Sequence, residues 1–159
     1  MFLGELAGAR SSVPSFSPLL GAQVDLRPRS TVQFAIEHGF EHGVLVDKGG
    51  VSAGGTPLEV GDLWYQSPGH HALVLANSSD GPARVLVLGG PPFPEPLVMW
   101  WNFVGRSHAD IALYRQLWEA HDARFGSVPG YPGARLPAPP LPNGALRARR
   151  NPEPRSTRQ

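Results

Sequence analysis

The chain contains no cysteine, which excludes disulfide staples, thiol nucleophiles and thiolate metal sites. Long apolar runs are missing too: none reaches the roughly 18 residues that a membrane-spanning helix needs. The N-terminus lacks the basic stretch and apolar run of a secretory signal. Lysine is nearly absent, with Lys48 alone against thirteen arginines, and charged residues make up only 17% of the chain. What is abundant is glycine (19) and proline (18) within 159 residues. Both residues interrupt helices, so the composition favours short strands joined by many turns. The length fits one domain, or one domain with a tail. The expectation is a cytoplasmic β-rich domain.

The charge is unevenly placed. From Ala145 onward, Arg147, Arg149, Arg150, Arg155 and Arg158 face only Glu153, a net of +4 that leaves the preceding residues at −3 within a formal total of +1. A basic end without interleaved aromatics, on an acidic body, argues against nucleic-acid binding and reads as a solvated, disordered tail over 145–159.

Apolar or β-branched runs at Leu3–Leu6, Ala22–Leu26, Thr31–Ile36, Gly43–Val46, Leu63–Tyr65, Ala72–Leu75 and Ala83–Leu88 alternate with turn signals such as Gly54-Gly55-Thr56-Pro57 and Asp80-Gly81-Pro82. Turns about ten residues apart predict an antiparallel sandwich or barrel of the jelly-roll kind. One helix follows. Ser107-His108-Ala109-Asp110 is a capping box, and Ile111, Tyr114, Leu117, Trp118 and Phe125 trace an apolar stripe, predicting a helix over 108–125 that packs on the barrel or against a partner. His121 borders that stripe. Prolines at 129, 132, 137, 139, 140 and 142 then exclude helix and central strand, so 129–144 reads as an extended arm that buries Leu136 and Leu141.

The segment Phe93–His108, with Met99-Trp100-Trp101-Asn102-Phe103-Val104-Gly105-Arg106-Ser107-His108 at its centre, is not explained by propensity. Together with Leu3–Gly8, Phe40-Glu41-His42, Leu88-Gly89-Gly90 and Leu136–Pro142, it resembles the C-terminal half of the pirin family, bacterial branch, in the cupin superfamily. The resemblance covers residues 3–142. It implies an all-β cupin barrel over residues 1–128 with one C-terminal helix. It also implies that the usual N-terminal cupin, which carries the family's iron, is not part of this chain. Quercetin 2,3-dioxygenase-type activity and transcription-cofactor roles are associated with the family. Within the motif, alternation along a strand would turn Trp100 and Trp101 to opposite faces, one into the core and one outward. Asn102 and Arg106 are expected to tie down backbone or a carboxylate such as Glu95 or Asp110, with His108 opening the helix.

Superfamily metal sites combine three imidazoles and a carboxylate, a donor set suited to iron or manganese. Mapped onto that pattern, His38 takes the second histidine position and His42 the glutamate position, while the other two histidine positions fall on Ile36 and Leu73. Pro68 and Asn77 keep the superfamily spacing, but Gly61 and Gly69 each stand one residue early. Alternation puts His71 on the face of Leu73, so His38, His42 and His71 form the candidate three-imidazole group for iron or another divalent metal. Glu41 points to the opposite face. With two ligand positions apolar, the expectation is a cupin with no cofactor, non-catalytic, acting as a homodimer or with a separate N-terminal cupin. The alternative is a metal-dependent, quercetinase-like oxygenase.

Overall fold

The computed structural model describes residues 1–149. The chain divides into two compact units, one ending at Pro92 and the other starting at Phe93, so the division falls well before residue 128.

The first unit is all β. Its strands are β1 (Glu5–Leu6), β2 (Ala9–Arg10), β3 (Leu20–Leu26), β4 (Ser30–Ala35), β5 (Glu41–Lys48), β6 (Val51–Ala53), β7 (Thr56–Leu58), β8 (Leu63–Gln66), β9 (Ala72–Asn77) and β10 (Ala83–Gly90). Two four-stranded antiparallel sheets form, in the orders β3-β10-β5-β8 and β4-β9-β6-β7. The expected strands are all present, within a few residues at their ends. Alternation explains why. In β5 His42, Val44 and Val46 are buried while their neighbours are not, and in β9 Leu73, Leu75 and Asn77 are buried in the same rhythm. These inner faces meet in one core with Val85 and Val87 of β10 and Val51 and Ala53 of β6. Each fully buried valine or leucine there contributes about 1.5–3 kcal/mol by leaving water. The β6–β7 connection needs its glycines: Gly54 and Gly55 have φ of 55° and 81°, as a tight two-residue hairpin turn requires. A Cβ on Gly54 would also stand 2.7 Å from the Trp64 ring.

The second unit has its own small core. β11 (Val98–Trp100) and β12 (Phe103–Gly105) form a hairpin, and α1 (His108–Glu119) packs on it. The expected continuous Trp-Trp strand is corrected here. Trp100 ends β11, paired with Phe103, and Trp101-Asn102 is the two-residue loop between them. Trp101 takes φ 51°, an orientation that usually favours glycine. Because the chain reverses at this point, strand alternation does not apply. Both indoles join the same core, Trp101 lying edge-on to Trp118 at 5.7 Å and to Phe103 at 5.2 Å. These aromatic contacts offset a backbone strain of about 1–2 kcal/mol.

The helix is shorter than predicted. Its capping box is formed as read: Asp110 N donates to Ser107 Oγ at 3.1 Å and Ser107 N donates to Asp110 Oδ2 at 2.9 Å. It stops at Glu119 because His121 turns left-handed, with φ 57°, and Ala123–Phe125 is a separate 3₁₀ turn. The apolar stripe is covered within its own unit by Val98, Phe103, Ala138, Leu141 and Leu146. The proline arm is extended, but Leu136 is exposed and Ala138 is buried in its place. Backbone contacts set that register: Trp118 Nε1 donates to Leu136 O at 2.8 Å, Arg115 Nε donates to Pro139 O at 2.6 Å, and Ala138 N donates to Glu119 Oε1 at 2.7 Å. The start of the expected disordered tail is tied down as well. Leu146 N donates to His108 Nδ1 at 3.1 Å, and Arg149 bridges Leu97 through two backbone hydrogen bonds. The rest of that tail, with Arg150, Arg155 and Arg158, lies outside the described residues.

Candidate functional site

An open cleft of about 810 Å³ lies in the first unit. One wall is the N-terminal segment. Leu3 and Gly21 exchange backbone hydrogen bonds of 3.0 Å, Ser11 N donates to Gly4 O at 2.8 Å, and Ser11 Oγ donates to Phe2 O at 2.9 Å. Between these ties the chain makes the β1–β2 hairpin, reversing through Ala7 and Gly8 at φ 52° and 78°. The other wall is the end of β4 with Ile36 and Glu37, then Phe40 and His42. Aliphatic side chains such as Leu6, Leu19, Leu20 and Ile36 share the lining with Ser11 and Ser15. Its charged groups are the exposed Arg10–Glu5 pair, 2.6 Å apart, and Glu37.

His42 forms the floor. Its Cα is paired with Gly89 on β10 and Gln66 on β8, and only 1% of the residue is exposed. The ring lies over Gly89, where a Cβ would come within 3.0 Å of His42 Cδ2, so glycine is needed for the imidazole to sit there. Neither ring nitrogen has a well-formed hydrogen bond. Burial pushes the imidazole below its ordinary pKa, with the Phe40 backbone working in the opposite direction. Near neutral pH His42 is therefore uncharged, with one nitrogen able to donate and the other able to accept. Gln66 shares this condition: its Nε2 donates to Ala72 O at 3.3 Å, but its buried Oε1 has no partner. Nothing in the sequence pattern pointed to Gln66; only its register opposite His42 does.

The three candidate metal ligands are not brought together. The rings of His38 and His71 lie 4.7 Å apart on exposed loops, which are joined by Gly69 N donating to His38 O at 2.8 Å and Ile36 N donating to His71 O at 3.1 Å. His42, by contrast, is buried. Among the described residues no group of three His, Asp or Glu is placed to hold a metal ion. The other two superfamily ligand positions are filled by hydrocarbon, with Leu73 fully buried and Ile36 packed against the same core. This donor set does not fit iron or another divalent metal held in the manner of the superfamily pattern. In the second unit, Arg106 pairs with Glu95 through its side chain, and its backbone N–H donates to Asp110 Oδ2 at 2.9 Å. Asn102 is exposed in the hairpin loop. Arg106 thus holds local structure, whereas Asn102 shows no such tie among the described residues.

Residues 21–126 match the model of the Pirin C-terminal cupin domain. Over 142 residues the chain is 43% identical to a Pseudomonas aeruginosa protein that carries a provisional quercetin 2,3-dioxygenase name, covering 89% of this chain and 44% of that protein. A pirin-like protein of Caulobacter vibrioides is 31% identical over 120 residues, covering 76% of this chain and 40% of that one. Among solved structures, a quercetin 2,3-dioxygenase from Acinetobacter baumannii superposes with a TM-score of 0.79 at 33% identity, over 92% of this chain and 48% of that chain. The chain spans less than half the length of each of these relatives.

Proposed function

Since the chain belongs to the pirin C-terminal cupin family, we propose that it is a non-catalytic cupin that works by association, its occupant being a second copy of itself. The observation that carries this reading is the outer face of the β3-β10-β5-β8 sheet. There Leu86, Leu45 and Leu63 stand in one cross-strand row, and Leu88, Gly43 and Tyr65 in the next. Leu63 is 64% exposed, Tyr65 60% and Leu88 42%. An apolar ladder of this kind is what an association surface presents. Toward the other end of the strands the face carries both signs of charge, Arg84 lying 2.8 Å from Asp25 and 3.8 Å from Asp47. A face with both signs can meet its own copy across a two-fold axis. β8 is also an edge strand of this sheet, with one flank unpaired by it.

The aliphatic filling at Ile36 and Leu73 supports the non-catalytic part of the reading. Sedimentation velocity at micromolar concentration tests the association. A dimer that becomes a monomer in Leu63→Arg supports it, and a clean wild-type monomer overturns it. A separate N-terminal cupin would appear in the same experiment as a monomer that shifts only when that domain is added.

The relatives' names favour a second reading, a metal-dependent quercetin 2,3-dioxygenase-like oxygenase. Elemental analysis of purified, tag-free protein separates the two. Near-stoichiometric metal, lost in His42→Ala, would replace the association reading with this one, and trace metal would retire it for this chain.

A further inference from the structure

We infer that the cleft over His42 is a binding site for a small, uncharged molecule with an apolar body and a hydroxyl group, held by the His42 imidazole. Three buried side-chain atoms without a hydrogen-bond partner stand out among the described residues: His42 Nδ1, His42 Nε2 and Gln66 Oε1. They belong to one cross-strand pair. Buried polar groups are almost always satisfied, so two neighbours left open on one interior face call for a reason. The other buried polar side chain, Asn77, shows what this unit does when the role is structural. It makes four hydrogen bonds, to Arg27 O, Gly81 O, Ser79 N and Ser79 Oγ.

The open atoms also define the ligand. A neutral imidazole offers one donor and one acceptor, and of the buried open atoms only those of His42 lie in the cleft's lining. A hydroxyl is both donor and acceptor, so it answers this set in a way that an ether or a hydrocarbon does not. The apolar part of the lining, with Leu6, Leu19, Leu20, Ile36 and Phe40, favours an apolar body, and Ser11 and Ser15 leave room for further polar contact. The volume of about 810 Å³ falls in the range of small-molecule pockets. An ion is disfavoured at the floor, because no opposite charge faces it: Arg10 is taken by Glu5, and Glu37 is exposed. The inference stands on the interior of the first unit and is independent of the outer apolar face.

Cyclohexanol and cyclohexyl methyl ether are suitable probes, read by the ¹⁵N shifts of the His42 ring and by titration of backbone amides along β4 and β5. Cyclohexanol is expected to move the ring signals saturably and to bind about tenfold tighter than the ether, the difference expected when a buried group is left unpaired. His42→Phe, which keeps the volume and removes both nitrogens, should bring the two probes to equal affinity. Gln66 pairs with His42 across the strands without lining the cleft, so Gln66→Leu should leave the preference for the alcohol in place. Equal binding of alcohol and ether to the wild type, no saturable ring shift, or an unchanged preference in His42→Phe would overturn the inference.

Discussion

The two ends of the β-barrel in the first unit handle a buried polar residue in opposite ways. At the end where β9 runs into β10, Asn77 is 1% exposed and all of its side-chain capacity is used on the loops at Arg27, Ser79 and Gly81. At the end where β10 finishes and β5 begins, His42 is buried to the same degree and has no well-formed hydrogen bond at either ring nitrogen, with the Phe40 backbone as a polar neighbour. Burial is equal, and satisfaction is not. The first arrangement stitches two chain segments together, the loop after β3 and the loop after β9, and contributes to folding. The second subtracts from stability and leaves recognition groups at the floor of a cleft. A polar residue in a core therefore indicates function only when its partners are missing.

The largest effect expected from breaking this comparison is at the satisfied end. Asn77→Ala should cost about 2–4 kcal/mol, because the carbonyls of Arg27 and Gly81 lose a donor and the Ser79 N–H and hydroxyl lose an acceptor. Denaturant unfolding with an unchanged slope measures it. A loss below about 0.5 kcal/mol would mean that the network is decorative, and the contrast with His42 would lose its reference point.

Much of this architecture was legible in the sequence, for identifiable reasons. Inner positions such as Val44 and Val46 alternate with outer ones, and Gly54-Gly55 can hardly be anything but a turn, so the strands follow from period and punctuation. The Ser107–Asp110 capping box likewise fixed the start of the helix. The Trp100-Trp101 step was not legible. A hairpin loop whose left-handed residue is tryptophan carries no glycine to announce it, and the strain is offset where Phe103 and the more distant Trp118 receive the indole. At the site, histidine spacing picked out His38, His42 and His71, but spacing cannot say that one of them lies inside and two outside. Gln66 had no signal at all, since its role exists only through register with His42.

A middle-sized effect is expected at Gly89. A methyl group there would meet His42 Cδ2 at 3.0 Å and Glu41 O at 3.2 Å, so Gly89→Ala should cost about 1–3 kcal/mol through overpacking. In a His42→Ala background the same change should cost less, because the ring that it strikes is gone. A double-mutant cycle by thermal or chemical unfolding measures the coupling. Equal costs in the two backgrounds would show that the Glu41 carbonyl, and not the imidazole, defends this position.

The smallest change in stability at neutral pH, and the most telling, is expected for His42→Leu. An apolar side chain of similar size removes two unsatisfied nitrogens, so the variant should match or exceed the wild type by about 1 kcal/mol near pH 7. The pH dependence separates the causes. The folded-state pKa of His42 is held below its ordinary value of 6.5 by burial, so below that pH the unfolded chain takes up a proton that the folded chain resists. Stability from this group is therefore fully present above pH 6.5 and declines as the pH falls through that value toward the folded-state pKa. His42→Leu should remove that part of the slope and leave the stability above pH 7 equal or higher. If the variant instead lost stability at neutral pH, the imidazole would be satisfied in solution, and His42 would belong with Asn77 as a structural residue.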